Sequence, residues 1–157
     1  MTIPAWSAGA LSPQMRQWTE SKLALTPDER VLQLATQEGE GPGFQAYRIG
    51  GSEEALSALY TDPGRKAYDK VVAVNNDPLE LEQSGELKVL RLLLRAEGKV
   101  FLFLTPRPHE EAAEAADRLA VMLWDAGLHV DEYGHALVDD AWATWVVGRR
   151  VVKAGLP

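Results

Sequence analysis

The chain has 157 residues, 46% apolar and 25% charged, with no cysteine and a formal net charge of −7. A chain of this size and composition folds as an ordinary globular unit and buries roughly 68–70% of its unfolded surface. The missing cysteines exclude a disulfide framework and any thiolate metal site, and the acidic balance argues against a face built for a phosphate backbone. His109, His129 and His135 are spaced too widely for a ligand motif of the HExxH kind, so no structural metal is expected. The opening MTIPAWSAGALSP has no basic start, and no stretch approaches the ~20 apolar residues that cross a bilayer. The expected setting is cytoplasmic, without membrane or nucleic-acid partners.

Ser12 followed by Pro13 predicts a helix start, because serine caps exposed amides and proline at the first helical position loses no needed donor. That helix carries Met15, Trp18 and Leu23 or Leu25, and Thr26, Pro27 and Asp28 end it. Glu29 to Ala35 reads as a first strand, Thr36 to Gly43 (TQEGEGPG) as a loop of turn glycines, and Phe44 to Ile49 as an alternating strand. Ser52, Glu53 and Glu54 open a short helix reaching about Tyr60. After the turn at Asp62, Pro63 and Gly64, Val71 to Val74 is a continuous apolar run, as expected of a parallel strand covered on both faces, and Phe101 to Leu104 reads the same way. Between them Leu79, Leu81, Leu87, Leu90, Leu93 and Leu94 follow helical spacing, with a break at Ser84 and Gly85, and Gly98 marks the stop before the next strand.

His109 to Ala126 predicts a helix with Ala112, Ala116, Leu119, Ala120 and Leu123 on its apolar side and Gly127 as its stop. Leu128 to Leu137 and Trp142 to Val151 read as two strands joined through VDDA, an antiparallel pair at the sheet edge. Trp142 and Trp145, three apart, then point to opposite faces. Together these elements predict an α/β fold. It is a three-layer, mostly parallel, doubly wound sheet of about six strands, with Val31 to Ala35, Val71 to Val74 and Phe101 to Leu104 central. Residues 1–157 are expected to be one domain, with 1–28 the N-terminal segment and helix and 29–151 the sheet core.

The order YDKVVAVNN, a leucine-rich helix ending RLLLRAEGKVFLFLTP, and a helix closing in LWDAGLHVDEY resembles the class I S-adenosylmethionine-dependent methyltransferases. Their matching stretches typically read "LRPGGRLVLV" and "AGF.V". The likeness extends, less specifically, from about Met15 to Val151. It implies a Rossmann-like fold and, in an active member, S-adenosylmethionine as cofactor. Laid on the family pattern VLELGCGEG, Val31 to Gly39 reads VLQLATQEG: Val31, Leu32, Leu34 and Gly39 match, but the acidic residue is Gln33, the first glycine Ala35 and the second Gln37. A side chain at a close-approach glycine occupies the cofactor's volume. The resemblance therefore implies a vestigial cofactor site at Gln33, Ala35, Gln37 and Gly39, with Glu53 or Glu54 as a surviving acid after the third strand. The stretch Thr36 to Gly43 is too short for a crossover of a dozen residues. One helix-plus-strand unit is thus expected to be missing between Ala35 and Phe44, making FQAYRIGGSEEAL similar to the family's third strand and turn. An alternative alignment makes Phe44 to Ile49 the second strand and deletes the third, so that the family's ribose-gripping carboxylate falls on Gly50 or Gly51.

Asn75, Asn76 and Asp77 follow a buried strand and form a candidate ligand cleft, although Asp77 before Pro78 also reads as a helix cap. His109 after Pro106, Arg107 and Pro108 reads as a solvated helix start, and His135 with Tyr133 as edge-strand surface. The function expected is a degenerate methyltransferase-like domain, non-catalytic and without a cofactor, acting through protein contacts or oligomerisation. Two alternatives stand beside it: a small active S-adenosylmethionine-dependent methyltransferase with a rearranged loop, and a non-catalytic small-ligand-binding regulator. A shortened sheet should leave surface to cover. A homodimer is therefore expected, through Phe44 to Ile49, the segment around Trp6 and Trp18, or the strand carrying Trp142 and Trp145.

Overall fold

The computed structural model describes residues 13–35, 47–50, 53–64, 67–74, 86–104, 106, 109–138 and 140–151. The elements in chain order are α1 (Pro13–Leu23), β1 (Val31–Ala35), β2 (Tyr47–Gly50), α2 (Glu53–Thr61), β3 (Tyr68–Val74), α3 (Glu86–Leu93), β4 (Leu94–Leu104), α4 (Ala112–Asp125), β5 (His129–Val138) and β6 (Ala141–Arg149). They build a six-stranded sheet in the order β2-β1-β3-β4-β6-β5. The first four strands are mutually parallel, and β6 runs antiparallel to both β4 and β5. The three apolar runs expected at the centre are there, each flanked by a strand on both sides.

The short strand at residues 47–50 lies beside β1, Leu32 pairing with Tyr47 and Ala35 with Gly50. In a doubly wound sheet of order 3-2-1-4-5-6, the neighbour of the first strand on that side is the second. β2 therefore takes the second position, and the third is the strand without a counterpart among the described residues, which corrects the alignment that made this segment the third strand. The connection explains the error. β1 and β2 run parallel, so the chain between them makes a crossover, for which counting only Thr36 to Gly43 left no room.

Strands buried on both faces need a layer on each side. On one side Leu56 of α2, Leu87, Leu90 and Leu93 of α3, and Leu119, Met122 and Leu123 of α4 pack with Leu32, Leu34, Val71, Ala73, Val100 and Leu102. On the other, Met15 and Leu23 of α1 join Val31, Val72, Phe101, Phe103, Trp145 and Val147, with Trp18 packed against them. Fully burying one such aliphatic side chain is worth about 1.5–3 kcal/mol. Trp145 is only 9% exposed on the α1 face, while Trp142 on the opposite face is 47% exposed. Trp145 is thus core, and as an association surface it is ruled out by α1.

The α1 helix is fastened at the middle of its inner face and at its C-terminal end. Trp18 stands edge-on to Trp145 at 5.2 Å and to Phe103 at 6.1 Å, and the Lys22 ammonium lies 4.3 Å from the Trp145 ring centroid while pairing with Glu132 at 2.8 Å. At the C-terminus, where Ala24 adopts φ 46°, the Lys70 ammonium donates to the carbonyls of Leu23 at 2.8 Å and Ala24 at 3.1 Å. It also meets Glu29 at 2.9 Å. A cation there satisfies orphan carbonyls and complements the helix dipole.

Leu94, expected on the helix, is the buried first residue of β4, which follows α3 with no intervening turn. Pairing then jumps from Tyr68–Leu94 to Lys70–Lys99, leaving Arg95, Ala96 and Glu97 exposed in a bulge with Glu97 at φ 66°. Gly98 closes the bulge because a Cβ there would lie 2.9 Å from the Arg95 carbonyl oxygen and 3.0 Å from that of Tyr68. The Arg150 guanidinium donates to the carbonyls of Leu94, Arg91 and Leu92 at 2.7–3.4 Å and so caps α3 from outside. The last helix starts at Ala112 rather than His109: His109 has φ 67° and Glu111 is extended, so neither can continue a helical turn. Its end is as expected. Gly127, at φ 87°, donates to Trp124 at 3.0 Å and Leu128 to Leu123 at 3.1 Å, the paired bonds of a Schellman motif, with Leu123 and Leu128 buried against it.

Two outcomes follow for stability. Gly98→Ala forces a methyl group onto immobile backbone oxygens and should cost about 1–3 kcal/mol in denaturant unfolding, whereas Gly64→Ala, at an exposed turn, should change it by less than about 0.5 kcal/mol. The second concerns acid. Burial works to raise the Glu29 pKa, but the Lys70 and Thr26 hydrogen bonds outweigh it and hold it below its ordinary 4.5. The Lys22 hydrogen bond does the same for Glu132. Folded values below unfolded ones give stability that is present above about pH 4.5 and lost as pH falls through the folded values. Thermal unfolding scanned downward from neutral pH should show that loss, and a Lys22→Met/Lys70→Met double variant should show a shallower one.

Candidate functional site

In open α/β sheets ligands bind outside the carboxyl ends of the strands, where the strand order reverses. Here β2 lies on one side of β1 while β3 and β4 lie on the other, so the reversal falls between β1 and β3. Their last residues are Ala35 and Val74. The segments that continue from them, 36–46 and 75–85, lie outside the described residues, and with them Gln37, Gly39, Asn75, Asn76 and Asp77. The other parallel strands end on the same rim, β2 at Gly50 and β4 at Leu104.

Gln33 stands in register between Arg48 and Val72, two residues before the end of β1, and is 1% exposed. Its amide is part of the packed interior and not of a solvent-facing cleft. Ala35 is paired with Gly50 at the ends of their strands. With β2 as the second strand, the family's ribose-gripping position falls on Gly50 or Gly51, neither of which has a carboxylate, and Gly51 lies outside the described residues. Glu53 is the first residue of α2, three residues beyond Gly50. Among the described residues, then, position 33 holds a buried amide and position 50 a glycine.

The rest of the described rim is held by polar contacts that the sequence did not announce. The Thr144 hydroxyl, fully buried, donates to the Leu104 carbonyl at 2.6 Å and pins the end of β4 to β6. Arg118 of α4 makes a two-pronged pair with Glu110, both bonds 2.9 Å, and so ties the segment before the helix to its second turn. An eight-residue spacing fits no helical pairing rule, which is why the pattern gave no signal. His109 is exposed, and His135 lies on β5 with its ring 5.5 Å from Trp142. No group of three or more His, Cys, Asp or Glu residues could hold a metal ion among the described residues, and no helix among them is long and apolar enough to cross a membrane. The groups with displaced pKa values lie away from this rim: Glu29 before β1, Glu132 on β5, and Arg149, raised by its hydrogen bonds to Glu97 and Asp131 at the opposite end of the sheet.

Converting Gln33 to Glu tests whether position 33 serves ligand or core. An acid there restores the family residue but places a carboxylate in the packed interior, and should cost about 2–4 kcal/mol at neutral pH without creating measurable affinity for S-adenosylmethionine. Unfolding curves and calorimetric titration of the variant give both readouts.

No protein-family model matches the sequence, and no curated protein sequence matches it. Solved structures do. The chain is similar to TrmN from Thermus thermophilus (TM-score 0.55, 16% identity, 92% of this chain and 50% of that one). It is also similar to a Haloferax volcanii chain solved in complex with the Trm112 methyltransferase activator (TM-score 0.56, 16% identity, 90% and 92%). A third is the magnesium protoporphyrin IX methyltransferase ChlM from Synechocystis PCC 6803 with bound SAM (TM-score 0.52, 14% identity, 92% and 86%). The chain spans half the length of TrmN and nearly all of the Haloferax protein. Strand order and these likenesses agree: the chain has the class I S-adenosylmethionine-dependent methyltransferase-like, Rossmann-type fold.

Proposed function

We propose that this chain is a methyltransferase-like domain that has kept the scaffold and given up the cofactor grip, and that it acts through contacts with protein rather than by catalysis. The observation that carries this reading is the pair of positions 33 and 50: a buried amide where the family has an acid, and a glycine where it has the ribose-gripping carboxylate. Gln37 in place of the second close-approach glycine points the same way. With a net charge of −7, the partner fits protein better than nucleic acid. Residues 1–157 are taken as one domain, 1–28 leading into the sheet core of 29–151, because both apolar clusters share one sheet. The same fold hosts many functions, so the site and not the scaffold has to decide.

A second reading, a small active methyltransferase binding S-adenosylmethionine through a rearranged loop, is favoured by the intact reversal of strand order between β1 and β3 and by the methyltransferases among the similar structures. In it, residues 36–46 and Asn75 to Asp77 would hold the cofactor and substrate. Methyl transfer asks for orientation more than for an acid or base.

Calorimetric titration with S-adenosylmethionine and S-adenosylhomocysteine separates the two. The non-catalytic reading expects no binding heat and a melting temperature that barely moves at millimolar ligand. A ligand present at 100 times its dissociation constant stabilises by about 2.7 kcal/mol, on the order of 5–10 °C for a chain of this size. A shift of that size would overturn the reading that the cofactor grip is lost, and methyl transfer to an acceptor would then have to be measured to separate the second reading from a non-catalytic ligand-binding domain.

A further inference from the structure

The largest exposed apolar side chains fall in part on one face of the last hairpin: Tyr133 at 50%, Leu137 at 58% and Trp142 at 47%. Register places them together. Tyr133 is opposite Val146, His135 opposite Thr144 and Leu137 opposite Trp142, so Tyr133, His135, Leu137 and Trp142 share the face that carries α4. The strand bearing three of them, β5, is the edge of the sheet, with no strand beyond it among the described residues. Edge strands are usually guarded by lysine, proline, inward charge or a bulge, and the bulge of β5 is confined to its start, between Val130 and Glu132. From Tyr133 to Val138 (YGHALV) this one has none.

We infer that β5 pairs antiparallel with β5 of a second copy of this chain, about a two-fold axis at His135. A bulge between Val130 and Glu132 interrupts the strand, so its regular stretch is Glu132 to Val138, and His135 is the midpoint of that stretch. A two-fold axis normal to the sheet keeps each side chain on its own face and brings residues of equal parity opposite each other. Centred on His135, it sets Tyr133 against the second copy's Leu137, and Leu137 against its Tyr133, with a Trp142 beside each Leu137. An aromatic–aliphatic cross-strand pair is a stabilising one. The same register sets Glu132, already paired with Lys22 of its own chain, against Val138, so the pairs from 132 to 138 oppose no like charges. Asp131 and Asp139 of the two copies come opposite just beyond them, which makes the association strengthen with salt. A pattern that is complementary to itself selects a second copy over an unrelated chain.

This names a partner for the proposed protein-contact role and rests on that role only for its purpose. Ligand titration reports on the strand ends, while association state reports on β5, so the two can fail separately. Sedimentation equilibrium on the full chain should show a dimer at micromolar concentration, and Tyr133→Lys or Leu137→Lys should weaken it about tenfold or more with the melting temperature of the monomer kept. The chain has no cysteine, so His135→Cys introduces a single thiol on the axis. A short bismaleimide should join this variant into a covalent dimer and leave Val121→Cys, on the exposed side of α4, monomeric. A chain that stays monomeric, a dimer that ignores both lysine variants, or equal cross-linking at 121 and 135 would each overturn the pairing. The cross-linking arm decides if a lysine variant fails to fold.

Discussion

A parallel sheet must be covered on both faces, and the whole structure turns on how unequally that is done here. One face of β1, β3 and β4 receives α2, α3 and α4, while on the other the described cover is the eleven-residue α1. That helix is too short to be stable alone in water. Its order comes from the sheet, through Trp18 lodged between Phe103 and Trp145, and from lysines arriving from opposite directions, Lys22 of its own and Lys70 of β3. The dependence is mutual, since Val72, Phe101 and Phe103 owe their burial partly to it. Losing either lysine would therefore loosen a face of the core and not merely a surface contact.

Where the sequence was readable, the reason is local. VVAV and FLFL identify buried parallel strands without help from the rest of the chain, Gly127 stops α4 because only a residue tolerant of positive φ can make that turn, and three-residue spacing alone separates buried Trp145 from exposed Trp142. What stayed hidden depends on partners distant in the chain. Lys70 and the end of α1 are 46 and 47 residues apart, Arg150 and the end of α3 at least 56, and no periodicity encodes such a meeting. The position of β2 was misjudged for a different reason: which neighbour a strand takes is a contact between separate segments, and no local pattern announces that β2 pairs with β1. For the candidate site, the rim was foreseeable from the apolar runs that end on it. The burial of Gln33 was not, because strand alternation does not say which face will be sealed.

Similarity of fold at 14–16% identity, with TM-scores of 0.52 to 0.56, fits a scaffold that tolerates wide change at its ligand end. The preserved parts of this chain are those a parallel sheet cannot do without: central strands, helices on both sides, and the antiparallel closing pair. The departures from the family pattern at Gln33 and Ala35 fall near the carboxyl end of β1, the end at which ligands of open α/β sheets bind.

The place of β6 has a consequence for how the chain assembles. As the last strand in sequence it is not an edge; it lies between β4 and β5, with Val146 and Val147 facing opposite core clusters. During synthesis, β4 and α4 emerge with the slot for β6 still open, and β5 has no partner until residues up to Arg149 have left the ribosome. The nascent sheet thus exposes the flank of β4 until β6 has been made. Non-local pairing of this kind is slow, and an open apolar flank is where misassembly begins. Chaperone dependence and sensitivity to C-terminal truncation would both trace to this one insertion.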